Sequence, residues 1–172
     1  MIFVTVGTQL HFDRLIQAVD EWAGLRGEND VFAQVGPSGY QPKHIQTKQF
    51  IDPAEFRARV ESATVMVAHA GMGSILTALE FGKPIIVMPR RANLGEQRND
   101  HQLATAKRFA EQGRIIVAFN ERELIEKLDS HGTFRGSEGG SAGASPGLIA
   151  VIRKFIEKGH IRGGNRSEST PV

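Results

Sequence analysis

The chain has 172 residues, 40% of them hydrophobic and 23% charged, with a formal net charge of +2. Those proportions fit one globular domain with a sizeable core. The absence of cysteine excludes disulfides and thiolate metal sites and suits a reducing compartment, and no run approaches the roughly 18 apolar residues of a membrane-spanning helix.

The first residues, 1–6, lack a basic leader and run into Gly7, so they read as a buried strand rather than a signal peptide. Phe12, Leu15, Ile16, Val19 and Ala23 fall at helical spacing, with Gly24 as the stop. A second strand is expected over 31–35, closed by a turn at 36–39, and a third over 44–51. Asp52-Pro53-Ala54-Glu55 has capping-box chemistry: an acceptor, then proline at the first helical position, then a glutamate three residues after the cap. The helix it opens should run to about Ser62. Residues 64–68 form a fourth apolar run. It ends in His69-Ala70-Gly71-Met72-Gly73-Ser74, and a helix follows to about Gly82.

A fifth strand is expected over 85–88, then a polar loop to Arg98, a helix over 100–112 stopped by Gly113, and a sixth strand over 115–118. Asn120 with Glu123 marks the start of a last helix, whose apolar face holds Leu124, Ile125 and Leu128. Alternating strands and helices imply a doubly wound, mostly parallel Rossmann-like sheet of about six strands, with right-handed crossovers. The expected boundaries are a domain over 1–130, a Gly/Ser-rich linker over 131–147, an amphipathic terminal helix over 148–160 and a disordered tail over 161–172. Residues 148–172 carry five Lys or Arg against two Glu. That balance of +3 leaves −1 for residues 1–147, so the globular part gives no electrostatic support for a nucleic-acid partner.

A strand ending in a small-residue turn and then a helix is a phosphate-binding arrangement, because the first-turn N–H groups and the helix dipole point at the ligand. The bland alternative is a tight turn that needs small residues for packing. The motif is not a dinucleotide fingerprint, since Leu76 stands where the third glycine would fall, and no Gly-Lys-Ser or Gly-Lys-Thr is present. Of the histidines, His69 is a candidate ligand or loop-ordering group. His11, after Gly7-Thr8-Gln9, is a weak candidate general base. His44, His131 and His160 read as bystanders. Arg90 and Arg91 either neutralise an anion or belong to a solvated loop. Asp13, Asp20 and Glu21 read as helix surface, and no metal-ligand spacing is evident.

Residues 69–74, taken with Glu80-Phe81-Gly82-Lys83-Pro84, Val87-Met88-Pro89 and Asn99-Asp100-His101-Gln102, resemble the nucleotide-sugar-binding domain of glycosyltransferase family 28. Within that family the pattern is similar to the PssE-like exopolysaccharide glycosyltransferase subunits and to the catalytic subunit of the eukaryotic two-subunit UDP-GlcNAc transferase. The resemblance covers about residues 1–128. It implies the donor-binding half of a GT-B fold. It implies that Gly7, Thr8 and Gln9 face the donor phosphates and sugar, and that Phe50 and Ile51 cradle uracil. By the same resemblance, His69, Gly71, Met72, Gly73 and Ser74 hold the pyrophosphate, and Asp100, His101 and Gln102 meet the sugar. The acidic ribose ligand of the relatives, eight residues after the motif's first, is replaced here by Thr77. Glu80, about one turn on, is the substitute candidate.

The resemblance further implies inverting transfer from a UDP-sugar, glucuronic acid favoured, without a metal or other cofactor. The acceptor would be a lipid-diphosphate-linked saccharide in exopolysaccharide synthesis. Since a GT-B enzyme needs two such halves, a membrane-anchored acceptor-binding partner is expected, recruiting this chain to the inner face of the cell membrane from the cytoplasm. An arginine for a donor carboxylate could be Arg90, Arg91 or Arg98. The terminal strip would dock on the partner, on its own sheet or on a membrane. The rival readings are a non-catalytic nucleotide-sugar-binding or regulatory module and a UDP-sugar epimerase, which would need a second domain.

Overall fold

The computed structural model describes residues 1–134 and Gly136. The rest of the expected linker, the terminal helix over 148–160 and the tail over 161–172 lie outside the described residues. Six parallel strands, β1 (Ile2–Thr5), β2 (Val31–Gln34), β3 (Gln46–Lys48), β4 (Val65–His69), β5 (Ile85–Met88) and β6 (Ile116–Val117), lie in the order β3-β2-β1-β4-β5-β6. Five α-helices connect or follow them: α1 (Asp13–Arg26), α2 (Pro53–Ser62), α3 (Met72–Glu80), α4 (His101–Glu111) and α5 (Glu121–Asp129). Among the described residues, no helix is long and apolar enough to cross a membrane.

β1, β2 and β5 are buried at every residue and β4 at all but its last, as continuous apolar runs in a sheet covered on both faces must be. Val4, Ala33, Val67 and Ile86 face Leu15, Ile16, Val19 and Trp22 of α1 and Leu124 and Leu128 of α5. Residues of opposite parity, including Phe3, Phe32 and Met66, are equally buried. On that side Phe56 of α2 meets Phe3 edge-on, ring centroids 5.4 Å apart.

Local chemistry sets the ends. α1 passes through Gly24, the expected stop, and ends at Gly27, whose φ of 64° provides the left-handed cap. Gly24 is needed for space instead: a Cβ there would lie 2.6 Å from the His44 ring. The third strand starts two residues later than expected, at Gln46, because the N–H groups of His44 and Ile45, with that of Lys43 before them, donate to the Asp20 carboxylate and not to a neighbouring strand; it also ends earlier, at Lys48. Asp20 also accepts from the Tyr40 hydroxyl at 2.8 Å. It is therefore a buried staple, not helix surface. Burial opposes its ionised form, but these hydrogen bonds outweigh it and hold the carboxyl below its ordinary range. Asp13 likewise accepts from Ser38 at 2.6 Å, while Glu21 stays on the surface as expected.

Asp52 caps α2, accepting from the N–H groups of Ala54 and Glu55. The capping box is half made, because the Glu55 carboxylate turns to Lys48 and Arg59. Asn120 caps α5 by accepting from the Glu123 N–H. The polar loop before α4 contains one 3-10 turn, Ala92–Leu94, and another, His131–Thr133, follows α5 at the start of the expected linker.

Candidate functional site

β1 and β4 are adjacent, and from them the strand order runs in opposite directions: β2 and β3 to one side, β5 and β6 to the other. Ligands on open parallel sheets bind outside the carboxyl ends at such a switch point. The loop from Gly7 follows β1, and the 69–74 turn follows β4.

These two loops meet on the His69 side chain. A Cβ at Gly71 would lie 2.1 Å from His69 Nε2, and a Cβ at Gly7 would lie 3.0 Å from its Cε1. The ring itself thus excludes a side chain at Gly71 and crowds one at Gly7. Gly7 also has φ +77° and donates its N–H to Thr5 Oγ1 at 3.2 Å. A third close approach is at Gly36 after β2: with φ +59°, a Cβ there would sit 3.1 Å from the Gly7 carbonyl oxygen. The turn at 36–39 was legible in the sequence, but not this contact. Burial, reinforced by the positive charge of Arg90, pushes the His69 imidazole down to about 4. The ring is therefore neutral at physiological pH, and its buried Nδ1 has no hydrogen-bond partner.

α3 begins without a side-chain cap, and the Ile75 N–H is the first to find a helical acceptor, the Gly71 carbonyl at 3.2 Å. The N–H groups of Met72, Gly73 and Ser74 precede it and are left to a ligand or solvent. Ser74 is buried on the third position of the helix. Thr8, Gln9 and His11 are exposed on the loop after β1.

Three further groups of expected site residues have different settings. Phe50, 49% exposed, and the half-buried Ile51 follow β3, at the same end of the sheet. Two strand spacings, about 10 Å, separate β3 from β1. Thr77 lies one turn into α3 and donates its hydroxyl to the Gly73 carbonyl at 2.9 Å. Glu80 is the last residue of α3 and faces the exposed Arg57 at 3.5 Å. At the start of α4, Asp100 accepts from the Ala92 N–H, and the exposed His101 ring meets the Asn99 side chain. Gln102 is buried and accepts from the Arg90 N–H at 3.2 Å.

Of the two expected settings of Arg90, the solvated loop does not describe where it sits. It is 3% exposed, and its Nη2 donates to the carbonyls of Val6 at 2.9 Å and Leu10 at 2.6 Å. Arg91 reaches back to the Phe119 carbonyl, and Arg98 is exposed. Sequence reasoning missed a second tie. The Arg14 guanidinium grips the Glu96 carboxylate in a bidentate pair at 2.6 and 2.9 Å, and Glu96 also accepts from the Arg91 N–H. Burial alone would lower Arg14, but Glu96 and Glu121 outweigh it and raise it. The sequence separation of 82 between the partners leaves no local signal for such a pair. Among the described residues, no three His, Asp or Glu side chains converge on a possible metal position.

The family model described as the glycosyltransferase family 28 C-terminal domain matches residues 1–133. The UDP-N-acetylglucosamine transferase subunit ALG13 of Homo sapiens is 32% identical over 125 residues, 67% of this chain and 11% of that protein. The chain therefore spans about a tenth of the length of that relative. The NMR solution structure of ALG13 superposes with a TM-score of 0.60 at 20% identity, covering 91% of this chain and 94% of that one. MurG from Acinetobacter baumannii gives 0.55 at 19% identity, covering 91% of this chain and 49% of that one. These structural likenesses establish the fold.

Proposed function

The chain belongs to the glycosyltransferase family 28 C-terminal domain family, and from that premise we propose that it is the donor-binding catalytic subunit of a two-component inverting glycosyltransferase that uses a UDP-sugar. The observation that carries this reading is the pair of glycine loops clasping His69 at the switch point, beside an uncapped helix start. A diphosphate there meets the N–H groups of Met72, Gly73 and Ser74 and the positive end of α3. The Ser74 hydroxyl adds a further donor. Phe50 and Ile51 flank the uracil, Thr77 lies nearer the ribose than Glu80, and Gly7, Thr8, Gln9, Asp100 and His101 face the sugar. Gln102 acts through Arg90, whose N–H it accepts.

In the reaction an acceptor hydroxyl attacks the anomeric carbon. The bond from that carbon to the β-phosphate oxygen breaks, UDP leaves with the bonding pair, and the hydroxyl proton passes to a base. Charge developing on UDP is met by fixed N–H dipoles, which need no reorganisation. No metal or other cofactor is invoked. His11, exposed on the first loop, is the candidate base on this chain. The acceptor is proposed to be a lipid-diphosphate-linked saccharide in exopolysaccharide synthesis. It would be held by a membrane-anchored partner that recruits this chain from the cytoplasm.

Glucuronic acid is the proposed sugar, on the resemblance to exopolysaccharide subunits. Its carboxylate partner would be Arg98, because Arg90 and Arg91 are engaged with backbone carbonyls. A second reading, N-acetylglucosamine, is favoured by the name of the human relative. Transfer from a panel of UDP-sugars, with the purified chain, partner-containing membranes and both together, tests the proposal. Product is expected only from the combination, and with UDP-glucuronic acid. Turnover by the chain alone would refute partner dependence. UDP binding without product under any condition would identify a non-catalytic module.

A further inference from the structure

We propose that Arg90 is a positioning residue of the donor site, fixing the first glycine loop and supplying the buried positive charge that a bound diphosphate neutralises. The inference rests on the UDP-sugar reading above. Arg90 stands two residues beyond β5, one strand over from His69. Its Nη2 bridges the Val6 and Leu10 carbonyls, which bracket Gly7, Thr8 and Gln9. One guanidinium thus closes the loop at both ends. Its backbone N–H donates to the Gln102 side chain.

The charge itself calls for an explanation. Arg90 has no carboxylate within ion-pairing distance among the described residues, and the nearby Glu96 is committed to Arg14. Arg90 Nε is buried without a hydrogen-bond partner. The ring of Phe12, 5.2 Å from the guanidinium carbon, gives only a weak cation–π contact. Placing an unpaired cation in a protein interior is costly. For loop closure alone a neutral donor would do the same work without that cost. Among the described residues, the two buried side-chain atoms left without partners, Arg90 Nε and His69 Nδ1, flank the same glycine loop. This is the place where a ligand's negative charge would be stabilised in a low-dielectric setting.

The test compares UDP with uridine, binding measured by calorimetry for UDP and by NMR titration for uridine. Arg90→Gln should weaken UDP by at least about tenfold, the scale of a lost charge-assisted contact, and leave uridine within about twofold. Arg90→Lys, which keeps the charge, should recover part of the UDP affinity. If Arg90→Gln does not fold, Arg90→Lys carries the comparison by itself: UDP weakened, uridine unchanged. Equal losses for UDP and uridine, or an unchanged UDP affinity, would overturn the role of Arg90. Failure of the unaltered chain to bind either ligand would instead overturn the donor-site reading on which the inference rests.

Discussion

Replacing Gly71 by alanine isolates the contact on which the site is built. Gly71 has φ −84° and ψ 133°, ordinary extended backbone, so alanine meets no conformational strain there. The whole cost is contact. The new Cβ would lie 2.1 Å from His69 Nε2, 2.8 Å from Cε1 and 2.9 Å from Cδ2. The ring is also close to the first loop, where a Cβ on Gly7 would lie 3.0 Å from its Cε1. Overpacking of this kind costs about 1–3 kcal/mol. About 2 kcal/mol would lower the melting temperature by roughly 4–8 °C in a chain of this size. UDP affinity should also fall, since relief must displace one of the two loops. The decisive form is a double-mutant cycle with His69→Ala, read by thermal melting and by UDP calorimetry. In the His69→Ala background the clash has no partner, and Gly71→Ala should be nearly neutral. That corresponds to a coupling of at least about 1 kcal/mol. An equal cost of Gly71→Ala in both backgrounds would refute the reasoning.

Other expectations follow from the same contacts. The lowered pKa of His69, about 4, against about 6.5 when unfolded, means that the unfolded state binds the extra proton between those values. Stability should therefore be full above about pH 6.5 and fall by up to about 3 kcal/mol as the pH drops to 4; His69→Ala should flatten this part of a urea-denaturation pH series. Asp20→Ala removes the acceptor for three backbone N–H groups and the Tyr40 hydroxyl and should cost about 3 kcal/mol or more in urea denaturation. Burial and the Asp20 hydrogen bond raise the Tyr40 hydroxyl to about 12, so Asp20→Asn should lower its titration midpoint measured by ultraviolet absorbance. For the ribose, Thr77→Val should reduce the preference for UDP over 2′-deoxy-UDP, whereas Glu80→Ala should leave that ratio unchanged.

Most of the architecture was legible because parallel strands buried on both faces are written as uninterrupted apolar runs, and 85–88 fell where β5 lies. Asp52 and Asn120 were readable because a cap is a local bond over two or three residues. What escaped were features decided across the fold. Gly24 looked like a stop, but the ring it accommodates is His44, twenty residues away. The third strand was begun too early because Asp20 withdraws the N–H groups of His44 and Ile45. The glycine motif announced a close approach, but not that the approaching group is the motif's own histidine. The burial of Arg90 was not legible, because no periodic pattern reports a side chain that turns inward to the carbonyls of another loop.

The central claim is that a UDP-sugar binds where the β1 and β4 loops meet. Backbone amide NMR of the full chain during a UDP titration tests it most directly. Saturable shifts centred on Gly7, Thr8, Gly71, Met72, Gly73 and Ser74 are the predicted result. Saturation that leaves those six amides unmoved, or no binding at millimolar UDP, would contradict it.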